Sequence, residues 1–89
     1  MNKNKVMNFS ATWCGPCKLF APIWNDVAAQ LGDKFEFEKI DIDECEPLCE
    51  QHGIASVPTT ILFHGGTEVK RRSGSFPNAN AFIEWLTQN

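Results

Sequence analysis

Phe9-Ser10-Ala11-Thr12-Trp13-Cys14-Gly15-Pro16-Cys17-Lys18 joins the end of one apolar run to the start of another. Upstream, Lys5 to Ser10 reads as a short, mostly buried strand. Downstream, Phe20, Ile23, Trp24, Val27, Ala28 and Leu31 recur at three- and four-residue spacing, which predicts a helix over 14–31 with one apolar face. Pro22 removes a backbone donor inside that pattern and predicts a kink near Lys18. Gly32 is a plausible stop. The two cysteines therefore stand where strand gives way to helix. Cys14 falls at the helix N-terminus, where free N–H groups and the helix dipole favour a thiolate. Cys17, one turn inside, is expected to be more buried and less acidic. That asymmetry predicts a division of labour in disulfide exchange, with Cys14 attacking and Cys17 resolving the mixed disulfide. Gly15 lets a partner chain approach closely, and Pro16 fixes the turn without adding a donor.

The rest of the chain supplies a frame for that junction. Phe35 to Ile42 alternates as a strand, with Phe35, Phe37, Lys39 and Asp41 on one face and Glu36, Glu38, Ile40 and Ile42 on the other. Glu46-Pro47 opens a short helix that Gly53 ends. Thr59 to Phe63 is a β-branched and apolar strand, His64-Gly65-Gly66 a turn, and Thr67 to Arg72 its hairpin partner. Asn78 caps a last helix whose apolar face is Ala79, Phe82, Ile83 and Leu86. The order β-α-β-α-β-β-α predicts an α/β fold: a right-handed βαβ crossover followed by an antiparallel hairpin. A mixed four-stranded sheet in the order 2-1-3-4, with three helices spread over both faces, follows from it.

Composition narrows the function. The 89 residues suit one domain over 1–89, and 43% hydrophobic content is globular rather than disordered. A net charge of −3 argues against nucleic acid as the main partner. Lys70-Arg71-Arg72 is expected to be a solvated strand end. No stretch approaches the ~18 apolar residues of a membrane helix. Met1-Asn2-Lys3-Asn4-Lys5 leads into no long apolar segment, so it is not a signal peptide as it stands, and a cytoplasmic chain is the simpler expectation. Cys45 and Cys49 form a second pair. Four cysteines in this layout read either as a redox motif with two extra thiols or as a four-cysteine zinc module.

The segment Phe9 to Lys18 resembles the active-site segment of the thioredoxin family. The likeness continues through Lys39-Ile40-Asp41-Ile42-Asp43, then Gly53-Ile54-Ala55-Ser56-Val57-Pro58-Thr59, then Gly74. It implies a thiol–disulfide oxidoreductase that reduces disulfide-bearing proteins and is recharged by a flavin-dependent thioredoxin reductase. No metal is expected, and no cofactor beyond the redox-active Cys14–Cys17 disulfide itself. The resemblance also implies a cis peptide bond at Pro58. It implies a shallow binding surface of Trp13, Gly15, Pro16, Ile54, Val57, Pro58 and Gly74. A monomer is expected. The alternative within redox chemistry is a glutaredoxin-like protein recharged by glutathione, which the size fits. Against it, Ser73-Gly74-Ser75-Phe76-Pro77 stands where glutaredoxins carry a Cys-Asp or Ser-Asp pair.

The chain departs from the family pattern in three places. Few residues precede the first strand, so the resemblance implies a minimal version without the usual leading strand and helix. Strand 2 is then left as an unprotected edge, with Glu36, Glu38 and Lys39 to discourage pairing. Asn8 stands where the family commonly buries an aspartate, and an amide cannot take a proton from the resolving thiol. Lys39 corresponds to the lysine that partners that aspartate. It is either buried with a lowered pKa or extended to solvent. Proton removal from Cys17 is accordingly expected to use water or Lys39. Finally, Cys45 and Cys49 are additional; Cys49 is expected to be a buried small hydrophobe and Cys45 an exposed thiol. His52 and His64 are expected at the surface, and Trp24 and Trp85 in packing.

Overall fold

A computed structural model of the protein describes residues 4–88. Met1 to Lys3, on which part of the signal-peptide reading rests, and Asn89 lie outside the described residues. The elements are β1 (Asn4–Ser10), α1 (Gly15–Leu31), β2 (Phe35–Asp41), α2 (Glu46–Gln51), β3 (Thr59–His64), β4 (Thr67–Ser73) and α3 (Ala79–Thr87). They build one sheet in the order β2-β1-β3-β4. β1 runs parallel to β2, and β3 is antiparallel to both β1 and β4. The expected topology and the expected sheet order are both present.

The alternation along the strands sorts the core into two layers. On one face, Val6, Phe35 and Leu62 meet Phe20, Trp24 and Val27 of α1, Phe82 and Leu86 of α3, and Phe76 just ahead of α3. Aromatic rings dominate this layer: Phe82 stacks on Phe76 at 4.8 Å and meets Phe20 edge-on at 5.2 Å. Trp24 belongs to this packing, as expected, and Pro22 sits on the exposed side of an unbroken α1. On the other face, Met7, Phe9, Ile40, Ile61 and Phe63 are covered by the short α2, which has no fully buried residue, and by Ile42 and Ile54 beside it. That thin cover corrects the expectation for His52. Its ring is half-buried against Phe63 at 5.4 Å and Phe9 at 5.8 Å, because the six-residue helix ends before it can shield them. His64 is exposed, as expected.

Local chemistry explains the connections. Gly65 and Gly66 have φ of 58° and 83°, which a two-residue hairpin turn with matching twist requires. Asn78 accepts a hydrogen bond from Ala81 N–H at 2.8 Å and so caps α3. The register between β3 and β4 slips at Leu62/Phe63 and leaves Val69 without a ladder partner and exposed. The basic run of β4 is more engaged than a solvated strand end. Arg71 pairs with Glu68, Arg72 lies over Phe76 at 4.3 Å, and Lys70 lies over Trp85 at 4.9 Å. On the opposite edge, Lys5 bridges to Glu38 at 2.6 Å, which places paired charge along the open strand β2.

Candidate active site

β1 delivers the chain to the end of the sheet at Ser10, and α1 starts from there. Cys14 is the N-cap of α1: its backbone is extended (φ −92°, ψ 117°) and its Sγ accepts from Cys17 N–H at 3.2 Å. Pro16 falls in the first turn, where its missing N–H costs nothing. Cys14 and Cys17 are joined as a disulfide. The first turn of α1 contains no acidic residue, so nothing there opposes the positive end of the helix. The expected difference in burial is corrected. Cys14 is 5% exposed and Cys17 6%, because the cap residue is roofed by Ala11 and Val57 while the turn covers its partner. The two differ in what they face. Cys14 Sγ lies 3.7 Å from Val57 O, within reach of a thiol donor in the reduced form. Cys17 lines a pocket on another side, with Ser10, Thr12, Lys18, Lys39 and Asp41.

On the Val57 side, a groove of about 450 Å³ runs past Trp13, Ile54 and Val57. Three of the expected binding residues therefore share one wall. Gly15, Pro16, Pro58 and Gly74 do not line this groove. Pro58 is buried behind Val57, its peptide bond is cis, and its carbonyl accepts from Gly74 N–H at 2.8 Å. Gly74 has φ of 90°, a backbone open to glycine. Ile42, Asp43, Glu46 and Cys49 also line the groove and were not among the binding residues expected from the sequence. Asp43 accepts a hydrogen bond from Trp13 Nε1 at 2.9 Å, which steadies a ring that is 65% exposed. No local pattern in the sequence links Asp43 to Trp13, which lies 30 residues away.

Two further positions resolve alternatives left open above. Asn8 is 1% exposed, faces α1 from the middle of the sheet, and donates through Nδ2 to Thr60 Oγ1 at 3.0 Å. Lys39, its neighbour in register, is exposed, so the buried-lysine reading is corrected. β2 is an edge strand, and a side chain near its end has neighbours on one side only. Cys45 and Cys49 are both free and both half-buried, where one buried and one exposed thiol was expected. They pack against the Phe9 layer at the start of α2. Burial first, then Cys45, Glu46 and Asp43, push the Cys49 thiol up from its ordinary pKa. Cys14 and Cys17 are bonded to each other rather than grouped with Cys45 and Cys49, and among the described residues no three histidine, cysteine or acidic side chains gather as a metal cluster.

A disulfide closing the first turn of a helix, beside a groove walled by an exposed tryptophan, is the equipment of a thiol–disulfide oxidoreductase. The family model for thioredoxin matches residues 1–88. A thioredoxin of Mycoplasmoides gallisepticum is 40% identical over 76 residues, covering 85% of this chain and 75% of the relative. A bifunctional thioredoxin reductase/thioredoxin of Mycobacterium leprae is 39% identical over 74 residues, covering 83% of this chain but only 16% of its own length. The X-ray structure of Fasciola hepatica thioredoxin superposes with a TM-score of 0.87 at 32% identity, over 97% of this chain and 80% of that one. The chain belongs to the thioredoxin family. It is a thiol–disulfide oxidoreductase, by class a protein-disulfide reductase, with Cys14–Cys17 as its redox disulfide.

Proposed function

We propose that this chain acts as one domain that reduces disulfide bonds in other proteins, with Cys14 as the attacking thiolate and Cys17 as the resolving thiol. The single observation that carries the assignment is the position of Cys14 as N-cap of α1, with Sγ taking up the Cys17 N–H and no acid in the first turn. In the reduced protein a Cys14 thiolate attacks one sulfur of a substrate disulfide, and the other leaves as a thiol after protonation. Cys17 then displaces the substrate from Cys14, which leaves the substrate as a dithiol and the pair as a disulfide. The groove past Trp13, Ile54 and Val57 would hold an extended substrate segment during these steps. Pro58 and Gly74 would support that wall from behind.

A flavin-dependent thioredoxin reductase is the proposed donor of electrons. The name of the M. leprae relative joins such a reductase and a thioredoxin in one protein, which supports that pairing. The proposed setting is a reducing compartment, the cytoplasm, where the free thiols of Cys45 and Cys49 would persist. Among the described residues no helix is long and apolar enough to cross a membrane. The large exposed apolar side chains, Trp13, Leu19 and Val69, make no broad patch, in keeping with a monomer. The test is catalytic reduction of a disulfide-bearing protein such as insulin, with NADPH and thioredoxin reductase set against glutathione with its reductase. Turnover with the first system is the expected result. Turnover with glutathione alone would move the protein to the glutaredoxin-like class.

A further inference from the structure

Cys17 must lose a proton before it can resolve the mixed disulfide, and Asn8, the residue beneath the site, cannot accept one. Its amide is moreover committed to Thr60. The alternation of β2 places Lys39 and Asp41 on the same face as Phe35 and Phe37, which is the α1 face. β2 runs parallel to β1, so its last residues arrive at the end of the sheet where α1 begins. There Asp41 and Lys39 line the same surface pocket as Cys17, a space of about 360 Å³. Lys18 of α1 is the remaining charged group in its wall. The pocket is thus an aqueous route to a thiol that is otherwise buried, and Asp41 is its only carboxylate.

Resting on the roles proposed above for Cys14 and Cys17, we propose that Asp41 is the base for Cys17, drawing its proton through a water in this pocket. In the mixed disulfide the Cys17 S–H bond breaks and the proton passes by way of water to the Asp41 carboxylate. The thiolate attacks Cys14 Sγ, the Cys14–substrate S–S bond breaks, and the departing substrate thiolate takes up a proton from solvent. Lys18 and Lys39 favour the transient Cys17 thiolate by their charge. One oxygen of Asp41 already accepts from Asp43 N–H at 2.9 Å, which fixes the carboxylate at the pocket. The same short turn therefore steadies Trp13 through Asp43 on the groove side and serves Cys17 through Asp41 on the other.

The test is a stopped-flow reaction of the reduced protein with one equivalent of an aromatic disulfide such as dithiobis(nitrobenzoate). Release of the first aromatic thiolate reports attack by Cys14, and release of the second reports displacement by Cys17. Asp41→Asn keeps an acceptor for Asp43 N–H and removes the base. The expected result is an unchanged first phase and a second phase slowed about tenfold at pH 7, less than the ~10²–10⁴-fold of a directly placed general base because a water intervenes. The gap should close above pH ~9, where a thiol ionises unaided. Asp41→Glu should restore much of the rate at pH 7. Lys39→Gln should shift the rise of the second phase to higher pH. A second phase that is unchanged in Asp41→Asn, or slowed equally at every pH, overturns the assignment, as does a Lys39→Gln profile identical to the wild type. Failure of the wild type to show the first phase would instead refute the underlying role of Cys14.

Discussion

Two helices in this molecule begin on a cysteine followed closely by a proline, and only one of them carries a redox disulfide. Cys14 caps α1, with Pro16 in the first turn and Cys17 three residues on. Cys45 caps α2, with Pro47 in the first turn and Cys49 four residues on. The differences lie in length, spacing and charge. α1 has 17 residues and no acid in its first turn; α2 has six and carries Glu46 there. Cys14 Sγ takes up the Cys17 N–H, whereas Cys45 makes no side-chain capping bond. Burial and the neighbouring acids push Cys49 towards the neutral thiol. The comparison teaches that a cysteine at a helix start needs both an unopposed helix end and a closely placed partner, and that α2 offers neither.

Each difference can be attacked separately. The largest effect is expected from Cys14→Ser, which should abolish reduction of a disulfide protein in a turnover assay. Cys45→Ser and Cys49→Ser should each retain most of the wild-type rate. Next, an acid can be placed in the first turn of α1 to imitate Glu46. A side chain at Gly15 meets nothing within 4 Å, so Gly15→Glu is accommodated. Charge at a helix end is worth about 0.3–1 kcal/mol, so alkylation of Cys14 at pH 7 should slow roughly two- to fivefold.

Smaller effects separate a working cap from a nominal one. Asn78→Ala removes a side-chain cap and should cost about 1 kcal/mol in urea unfolding. Cys45→Ala removes none, and its unfolding midpoint should stay close to that of the wild type. Smallest is Glu46→Gln. Desolvation leads the causes that raise the Cys49 pKa, with Glu46 behind it, so removing that charge lowers the pKa only slightly. The thiolate fraction near pH 8 then rises, and Cys49 alkylation should speed up by less than about twofold, since exposed charges are well screened.

Much of the fold could be read from periodicity. The 3-4 spacing of Phe20, Trp24 and Val27 and the alternation of Phe35 and Phe37 each name a buried face, and one sheet with the expected order satisfies both. The cysteine pair was legible for the same reason: it stands where two periodicities meet. What escaped depends on depth or on distant contact. Parity assigns Lys39 to the α1 face but not its burial, which follows from its place near the end of an edge strand. Trp13 and Asp43 meet across 30 residues, and no local pattern marks such a pair. His52 is drawn inward because α2 is too short to cover Phe9 and Phe63, a deficit visible only once the layers are assembled. The bulge at Leu62/Phe63 likewise belongs to the pairing of β3 with β4 rather than to either strand.

The chemistry of the molecule turns on which thiol the fold activates. The most direct measurement is timed alkylation of the fully reduced protein with iodoacetamide at pH 7, with each cysteine followed by peptide mass mapping. Cys14 should be consumed first, at least about tenfold faster than Cys17, Cys45 or Cys49, in line with the reactivity of a thiolate at an unopposed helix N-terminus. Modification of Cys45 or Cys49 as fast as Cys14 would contradict the account.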